Sequence, residues 1–431
     1  MGRGHPPVFG EKTVGADLRV RPCLGGLPRL FVTVAVVLLM TVVATGCWDK
    51  REAEDLGYVR STALDRAPGG KVRLLVQVPS PRAIGGGGMA AITPAASIAS
   101  KPYRNFEADG ATVFDAIRQL ALQSPRRLFW AQNGTVIFTE DLARQGIARH
   151  LDFFERSMEI RRRLNHVLVT PSEPNILLDI PAPHETNPSG RIERIIEQER
   201  QSSRFAVVNL SDFLEMLATE GQDVYCGVVR ARRNPAFPGR VQDPNAPEPG
   251  LTLQLSGAAA FRGDRFAGYL TERETRGLLW AQNRLLGGAV TVPAPDGRSR
   301  VTLEIVRGKG RIVPAIEDGR LTATVKVTGV EADVAQSEGA LDLSRPETVR
   351  ALDRALSQAI EGEVLAAAVR AQELGADVLG VGAAFHRKFP RQWREMKADW
   401  AEIFPTVEVT ARAEAAVRRT GLIEKGVTIK D

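Results

Sequence analysis

Cys47 is the side chain whose position most directly suggests chemistry. It ends the run Val43-Ala44-Thr45-Gly46-Cys47, which follows an apolar stretch from Leu30 to Val43 and, before that, several arginines. A basic region, an apolar core and small residues before a cleavage point are typical of a secretory signal peptide. A cysteine directly after the small residues resembles the bacterial lipobox, in which the thiol accepts a diacylglyceryl group, although Ala44 stands where that motif usually has Leu. We therefore predict that Cys47 is lipidated.

The apolar stretch also limits how the chain meets a membrane. It is shorter than the roughly 20 residues that span a bilayer. The alternative is a single transmembrane anchor, and both interpretations place the rest of the chain outside the cytoplasm and against a membrane. Because one acyl chain gives only marginal binding, stable attachment takes two or more. A diacylated or triacylated Cys47 would meet that condition, and residues 1–46 would form a signal peptide with an N-terminal extension.

Composition places the rest of the chain among globular proteins. The 431 residues are 43% hydrophobic and 25% charged, with a net charge of +6, which is a typical balance. The segment before Cys47 has five basic and two acidic side chains, so the remainder carries +3. This charge is too small to indicate nucleic-acid binding, although it is compatible with anionic lipid headgroups. Residues 48–431 are too many for one ordinary domain.

The cysteines leave no pair for an internal disulfide. Cys23 falls within the predicted signal peptide and Cys47 would be lipidated, so Cys226 is left alone. Cys226 lies in an apolar, strand-like run from Val224 to Val229. We predict a buried and inert thiol there.

The sequence contains no motif of a catalytic or metal centre. It has no phosphate-binding Gly-x-x-x-x-Gly-Lys-Ser/Thr loop, no Gly-x-Ser-x-Gly and no Cys-x-x-Cys, and none of its five histidines is paired at i, i+4 with a glutamate between them. We predict a non-catalytic protein without metal or cofactor. The acids Glu193, Glu197 and Glu199 stand beside Arg194 and Arg200 and are predicted to form solvated ion pairs.

Periodicity and turn residues predict a mixed α/β chain of the α+β type. Several subdomains are expected, in which helices pack on mostly antiparallel sheets, with a long helix near the C-terminus. A Pro-rich linker at 234–250 separates a domain at 47–233 from a second domain at 251–431.

The second half of the chain has the clearer element signals. A capping box at Thr271 and Glu274 starts a helix. Strands at 301–306 and 311–316 are separated by a turn at 308–310, and further strands continue an antiparallel meander. A helix from about Pro346 to Leu374 ends at Gly375. Another helix opens at Pro390, and an alternating strand at 406–418 follows.

Gly277, Trp280 and Ala281 share one face of the helix that follows Thr271, because they stand three and four residues apart. We predict that Trp280 is buried against the adjoining sheet and that Gly277 allows a close approach. The alternative is an exposed tryptophan kept for a partner.

Four stretches together resemble the Ger(x)C lipoproteins, the C subunits of bacterial spore germinant receptors. Members of this family typically begin Cys-Trp-Asp-x-Arg-Glu, followed by Leu-Gly. The matching stretches are Cys47 to Gly57, Phe261 to Trp280, Gly375 to Pro390, and Trp393 with Trp400 to Gly421. The resemblance covers essentially the whole chain from Cys47 onward. The sequence departs from the family in the Gly/Ala/Pro-rich loop from Ile84 to Ser100 and in its high Arg and Ala content.

The resemblance implies a location and partners. The protein would be a lipid-anchored, extracytoplasmic subunit on the outer face of the spore inner membrane, needed for receptor assembly and nutrient-triggered germination. It would act with an A subunit, partly membrane-embedded, and a B subunit related to amino-acid permeases. The family fold is α/β, with subdomains that pack helices on sheets.

Two other classes of protein stay open. One is a lipid-anchored substrate-binding protein of a transporter, which would normally have two lobes with parallel sheets and repeated βαβ units. The predicted meander and long helix do not follow that pattern. The other is an envelope hydrolase, which would need a nucleophile constellation.

The segment from His386 to Arg394 places aromatic rings among cations. Trp and Arg are frequent at binding hot spots. The candidate partner contacts are therefore Arg387, Lys388, Arg391 and Trp393. The alternative is that Trp393 and Trp400 close the core while the cations are solvated.

Overall fold

The computed structural model describes residues 55–80, 101–182, 184–233, 250–338 and 341–419, together with Val34. All of these except Val34 belong to one compact unit. Cys47, the predicted signal segment, the Gly/Ala/Pro-rich loop and nearly all of the Pro-rich segment lie outside the described residues.

Fourteen strands within the described ranges form three sheets. Their bounds are β1 Leu56–Tyr58, β2 Ser61–Arg66, β3 Val72–Pro79, β4 Tyr103–Gly110, β5 Arg127–Phe129, β6 Thr135–Thr139, β7 His166–Thr170, β8 Tyr225–Arg233, β9 Leu251–Arg262, β10 Arg265–Leu270, β11 Ala289–Pro293, β12 Arg300–Glu317, β13 Arg320–Ser337 and β14 Glu408–Arg419.

Helices connect and cover these sheets. Their bounds are α1 Val113–Ala121, α2 Glu140–Gln145, α3 Ala148–Arg156, α4 Pro174–Leu177, α5 Pro188–Glu197, α6 Glu199–Ser202, α7 Leu210–Ala218, α8 Glu272–Ala281, α9 Pro346–Leu374, α10 Val381–Lys388, α11 Pro390–Met396 and α12 Trp400–Ile403. Single 3₁₀ turns occur at Pro68–Gly70, Lys397–Asp399 and Phe404–Thr406.

The α/β class is confirmed, and the two larger sheets are mixed, with antiparallel pairs in a narrow majority. The largest has eight strands in the order β10-β9-β8-β7-β6-β2-β3-β4. Across the described strands, six neighbouring pairs are antiparallel and five are parallel. The parallel pairs β6-β7 and β7-β8 are each joined through helices, because a parallel connection requires a crossover. The sequence pattern predicted short helices in the first half of the chain, but it did not predict that they would join parallel strands.

The large sheet draws strands from both sides of the Pro-rich segment. Strand β8 before the segment pairs antiparallel with β9 after it, over Tyr225 to Arg233. The division of the chain into domains at 47–233 and 251–431 stays a prediction.

The second sheet has the order β11-β12-β13-β14. Strands β12 and β13 form one long antiparallel hairpin turned at Asp318 and Gly319, both of which have positive φ angles. The predicted turn at 308–310 is therefore wrong: the chain runs through it as a single strand with register shifts nearby. Gly308 serves packing here, since a Cβ atom on it would stand 2.6 Å from the Trp280 ring.

Helix α8 is positioned as the sequence predicts. The Thr271 hydroxyl accepts from the Glu274 N–H, and the Glu274 carboxylate accepts from the Thr271 N–H at 2.7 Å, which completes the capping box. Trp280 is only 1% exposed and packs on β12, which confirms the predicted burial. Gly277 allows a close approach, as predicted, and the element it approaches is α9, because a Cβ atom there would overlap the backbone at Glu363.

Helix α9 spans 29 residues and ends at Gly375, whose left-handed φ of 58° confirms the predicted stop. Its Glu363 carboxylate accepts two hydrogen bonds from the Arg276 guanidinium on α8, one of them 2.9 Å long. Only 4% of the Glu363 side chain is exposed. The Arg276–Glu363 ion pair therefore favours one alignment of α8 with α9, because a shift that separated the pair would leave a buried carboxylate without its partner and destabilise the fold.

Candidate partner-binding surface

The segment between α9 and α10 is organised by one carboxylate. Asp377 is 2% exposed, and its Oδ1 accepts from the backbone N–H groups of Gly380 and Val381, both at 2.9 Å. Its Oδ2 accepts from the Gly382 N–H at 2.7 Å and from Trp400 Nε1 at 3.1 Å. A carboxylate that accepts the first N–H groups of a helix satisfies donors which have no partner inside the helix. Asp377 thereby fixes both the start of α10 and the position of Trp400.

Asp223 ties this segment to the large sheet. Its Oδ2 accepts from the Asp377 N–H at 2.8 Å, and its own N–H donates to the Asp377 carbonyl at 2.9 Å. Its Oδ1 accepts from the Gly263 N–H in the β9-β10 turn at 2.8 Å. Burial raises the pKa of Asp377 to about 7, and the neighbouring Asp223 charge acts in the same direction. Burial likewise raises the pKa of Asp223.

An aromatic cluster lies under helices α10, α11 and α12. The Trp393 and Trp400 ring centroids are 5.2 Å apart, and Phe385 lies 5.8 Å from Trp400. Two glycines permit this packing: a Cβ atom on Gly382 would stand 2.6 Å from Trp400 Nε1, and one on Gly221 would stand 2.6 Å from the Trp393 ring. The rings therefore form a buried layer that fixes three short helices.

The four predicted contact residues have different environments. Trp393 is 2% exposed, and its Nε1 donates to Glu220 at 3.2 Å, so its ring is covered within the chain. Lys388 is exposed, but its ammonium group donates to the Pro314 carbonyl at 2.7 Å. Arg387 and Arg391 are exposed and have no hydrogen-bond or ion-pair partner in the described part of the chain. The surface available to a partner is thus formed by the cations, and Trp393 supports it from below.

Glu220 links the cations to the aromatic layer. The His386 ring stacks on Trp393 with centroids 5.6 Å apart, and its Nδ1 lies 3.9 Å from the Glu220 carboxylate. Lys397 lies 3.4 Å from the same carboxylate. The hydrogen bond from Trp393 and the charge of Lys397 lower the pKa of Glu220. Glu220 is itself exposed, and its lowered pKa favours the ionised carboxylate beside the cations.

Sequence patterns predicted no role for Asp377, Asp223 or Glu220. Asp377 falls within the family stretch from Gly375 to Pro390, and an aspartate just before the start of a helix is a signal for capping. Asp223 and Glu220 act across more than 150 residues of sequence, and no local pattern marks them.

Glu199 corrects the prediction of three solvated acids. Arg194 pairs with Glu197 at 2.8 Å on the surface, as expected, and Glu193 pairs with Arg60. Glu199, however, is only 7% exposed, and burial raises its pKa to about 7. Its position at the start of the short helix α6 turns it inward, away from the exposed face of α5.

Cys226 is completely buried on β8, as predicted, and burial raises the pKa of its thiol. In the described ranges, no group of three or more His, Cys, Asp and Glu side chains is arranged to hold a metal ion. Within the same ranges, no helix is both long enough and apolar enough to cross a membrane. The lipidation site, Cys47, lies outside them and stays a prediction.

Two family models match the chain and together cover most of it. The model described as the spore germination protein N-terminal domain matches residues 49–231. The model described as spore germination B3/GerAC like, C-terminal, matches residues 256–421.

Similar proteins are found in Bacillus subtilis (strain 168). Spore germination protein KC is 27% identical over 412 residues, which cover 91% of this chain and 97% of that protein. The putative spore germination protein YfkR is 24% identical, with coverage of 91% and 97%. A crystal structure of the GerBC protein aligns with 83% of this chain and 96% of its own, at 16% identity and a TM-score of 0.47. From the two family models, which span the N- and C-terminal parts in order, it follows that the chain belongs to the GerAC-like, or Ger(x)C, family of spore germination proteins.

Proposed function

We propose that the protein is the lipid-anchored, extracytoplasmic C subunit of a spore germinant receptor. Cys47 would hold it on the outer face of the spore inner membrane. The observation that carries the proposal is the position of the two family regions, which begin at residue 49, directly behind a lipobox-like cysteine.

Its role is assembly of the receptor with an A subunit and a permease-like B subunit, without catalysis. Residues in the stretches that resemble the family support this role, because their internal contacts hold helices α8 to α12 together. We call this group of helices the platform. The Asp377 carboxylate joins the start of α10 to Trp400 on α12, and Gly277 lets α8 lie close against α9. The platform presents Arg387 and Arg391 to solvent, and arginine is enriched where proteins bind each other.

Membrane attachment is tested with Cys47→Ala and a matched control, Cys226→Ala. Cys47→Ala should move the protein from the membrane fraction to the soluble fraction and impair germination, because no acyl chain can be attached. Cys226→Ala should leave the protein in the membrane, because that thiol is buried and bears no lipid. Mass spectrometry of the wild-type N-terminal peptide should show a diacylglyceryl-modified Cys47. An unmodified Cys47 in a mature membrane-bound chain would contradict the proposal.

A further inference from the structure

Residues 157–164, in the loop between α3 and β7, include three successive arginines. Arg161, Arg162 and Arg163 are all exposed, and in the described part of the chain their side chains have no hydrogen-bond or ion-pair partner. The loop contains a single acid, Glu159. We call residues 157–164 the basic loop.

Exposed apolar side chains accompany these charges. In the basic loop, Met158 is fully exposed and Leu164 is 55% exposed. Helix α1 adds Phe114 at 51%, and Leu122 directly after it is 83% exposed. Helices α1 and α3 are neighbours, since the Phe114 ring lies 6.3 Å from that of Phe153 on α3, which leads into the basic loop. Large apolar side chains among unpaired cations are typical of segments that lie at a membrane interface.

The basic loop is held in place from beneath. The Glu159 carboxylate accepts from the Arg127 guanidinium at 3.2 Å and from the Trp130 backbone N–H at 3.3 Å. Ile160 is 8% exposed and belongs to the core. The loop is therefore fixed to β5 and its outer residues are presented to solvent.

The length of chain between Cys47 and the first strand limits how far this surface can lie from an anchored Cys47. Strand β1 pairs parallel with β5, and Leu56 is the residue level with Arg127. Eight residues lie between Cys47 and Leu56, so nine steps of at most about 3.6 Å each join them, or roughly 30 Å for an extended chain. Leu56, level with the Arg127 that binds Glu159 of the basic loop, can therefore lie at most roughly 30 Å from Cys47.

We propose that the basic loop, with the exposed residues of α1, lies on the membrane and binds anionic phospholipid headgroups. The three arginines would contact the phosphate groups, and Met158 and Leu164 would enter the interface. The proposal rests on the proposed function in one respect: lipidated Cys47 keeps the chain at the membrane. The basic loop would then set the orientation of the anchored protein, so that its other surfaces face the partner subunits.

The test uses the full lipidated chain with Met158→Cys, labelled with an environment-sensitive dye. Cys226 is buried and Cys47 is acylated, so the label is directed to position 158. The matched control is Val369→Cys, which is exposed on α9, outside this surface. Each protein is reconstituted into vesicles of phosphatidylcholine, alone or mixed with phosphatidylglycerol. We expect a blue shift at 158 only with phosphatidylglycerol, its reversal at high salt, and no shift at 369.

A charge-reversed loop supplies the second arm. Arg161→Glu, Arg162→Glu and Arg163→Glu together should abolish the shift at 158, while the chain still floats with the vesicles and melts as the wild-type chain does. Arg320→Glu with Arg350→Glu, both exposed elsewhere, should leave the shift intact.

The outcomes separate this proposal from the anchor. A chain that floats with the vesicles but shows no shift at 158 overturns the lipid contact and leaves Cys47 anchoring intact. A shift at 158 that needs the partner subunits, and not phosphatidylglycerol, overturns it in favour of a protein contact. A wild-type chain that does not float at all contradicts the anchor, and the lipid contact with it.

Discussion

Gly277 on α8 lies so close to Glu363 on α9 that a Cβ atom at Gly277 would overlap the Glu363 carbonyl oxygen. The side chain of the same Glu363 receives the Arg276 guanidinium from the neighbouring position on α8. Backbone contact and a buried ion pair thus meet at one point between the two helices. Because α8 also carries Trp280 onto β12, this point connects the long helix to the second sheet.

Replacing Gly277 with Ala should push α8 and α9 apart. Overpacking of a well-packed contact costs about 1–3 kcal/mol, and the free energy of unfolding in urea should fall by that amount. The matched control is Gly362→Ala, one residue from Glu363 on α9. A Cβ atom there meets only the end of the Arg273 side chain, at 3.1 Å. That variant should be neutral or more stable by up to about 1 kcal/mol; equal losses in both variants would contradict the close approach.

Trp280→Ala should lower the free energy of unfolding by about 3–5 kcal/mol, because it removes a large side chain from the core. Trp280→Phe should cost less, since the indole N–H has no hydrogen-bond partner in the described part of the chain. Leu286→Ala, at a side chain that is 55% exposed, is the control and should change stability by about 0.5 kcal/mol or less. Thermal and chemical unfolding measure all three. A melting temperature of Trp280→Ala equal to that of the wild-type protein would show that the ring is not in the core.

The raised pKa of Asp377 makes stability depend on pH. In the unfolded chain this carboxyl ionises near its ordinary pKa of 3.8, whereas in the folded chain its pKa is about 7. Between about pH 4 and pH 7 the folded state holds a proton that the unfolded state has released, so the contribution of Asp377 to stability falls as pH rises.

Asp377→Asn tests this dependence. It should be less stable than the wild-type protein throughout, because all four contacts of the carboxyl are with donors and the amide –NH₂ would face two of them. It also removes the titration, so its stability deficit should narrow as pH rises from 4 to 7. Glu199→Gln removes a different buried acid and should leave the Asp377 contribution in place. A deficit that stays constant or widens over this range would refute the assignment.

Arg387→Glu with Arg391→Glu should leave the fold intact, because substitutions at exposed positions usually change stability by about 0.5 kcal/mol or less. If these cations contact a partner subunit, the folded double variant should fail to co-purify with it and should germinate poorly. The control is Arg320→Glu with Arg350→Glu, the same charge change on other exposed sites. Normal co-purification of the Arg387/Arg391 variant would assign the segment to the scaffold alone.

Signals within a few residues of sequence, such as helix caps and apolar spacing, predicted the ends and the buried faces of several elements correctly. The Thr271 and Glu274 side chains marked the start of α8, and Gly375 marked the end of α9, because caps act within a few residues of sequence. The burial of Trp280 and Cys226 followed from apolar neighbours at helix and strand spacing. These features depend on the nearest turn of the chain, which the sequence displays directly.

Features that depend on residues far apart in sequence could not be predicted from these local signals. The glycines at 308–310 read as a turn, yet Gly308 makes room for a ring from α8. The Asp223–Asp377 connection joins residues 154 positions apart, and its donors are backbone N–H groups that carry no sequence signature. In the candidate surface, the sequence indicated Arg387 and Arg391 as candidate contacts, which stay predictions, whereas the burial of Trp393 depends on Gly221 and Glu220 from another part of the fold.

The central claim, that this chain is a germinant receptor subunit, is tested most directly by affinity purification from spore inner membranes. The full chain carries a C-terminal tag and is solubilised in mild detergent, and the recovered proteins are identified by mass spectrometry. Tagged Cys47→Ala, which should not reach the membrane, serves as the control. We predict that the wild-type chain recovers an A subunit and a permease-like B subunit in comparable amounts and that the control recovers neither. Recovery of the wild-type chain from the membrane without either subunit, or with a transporter in their place, would contradict the claim.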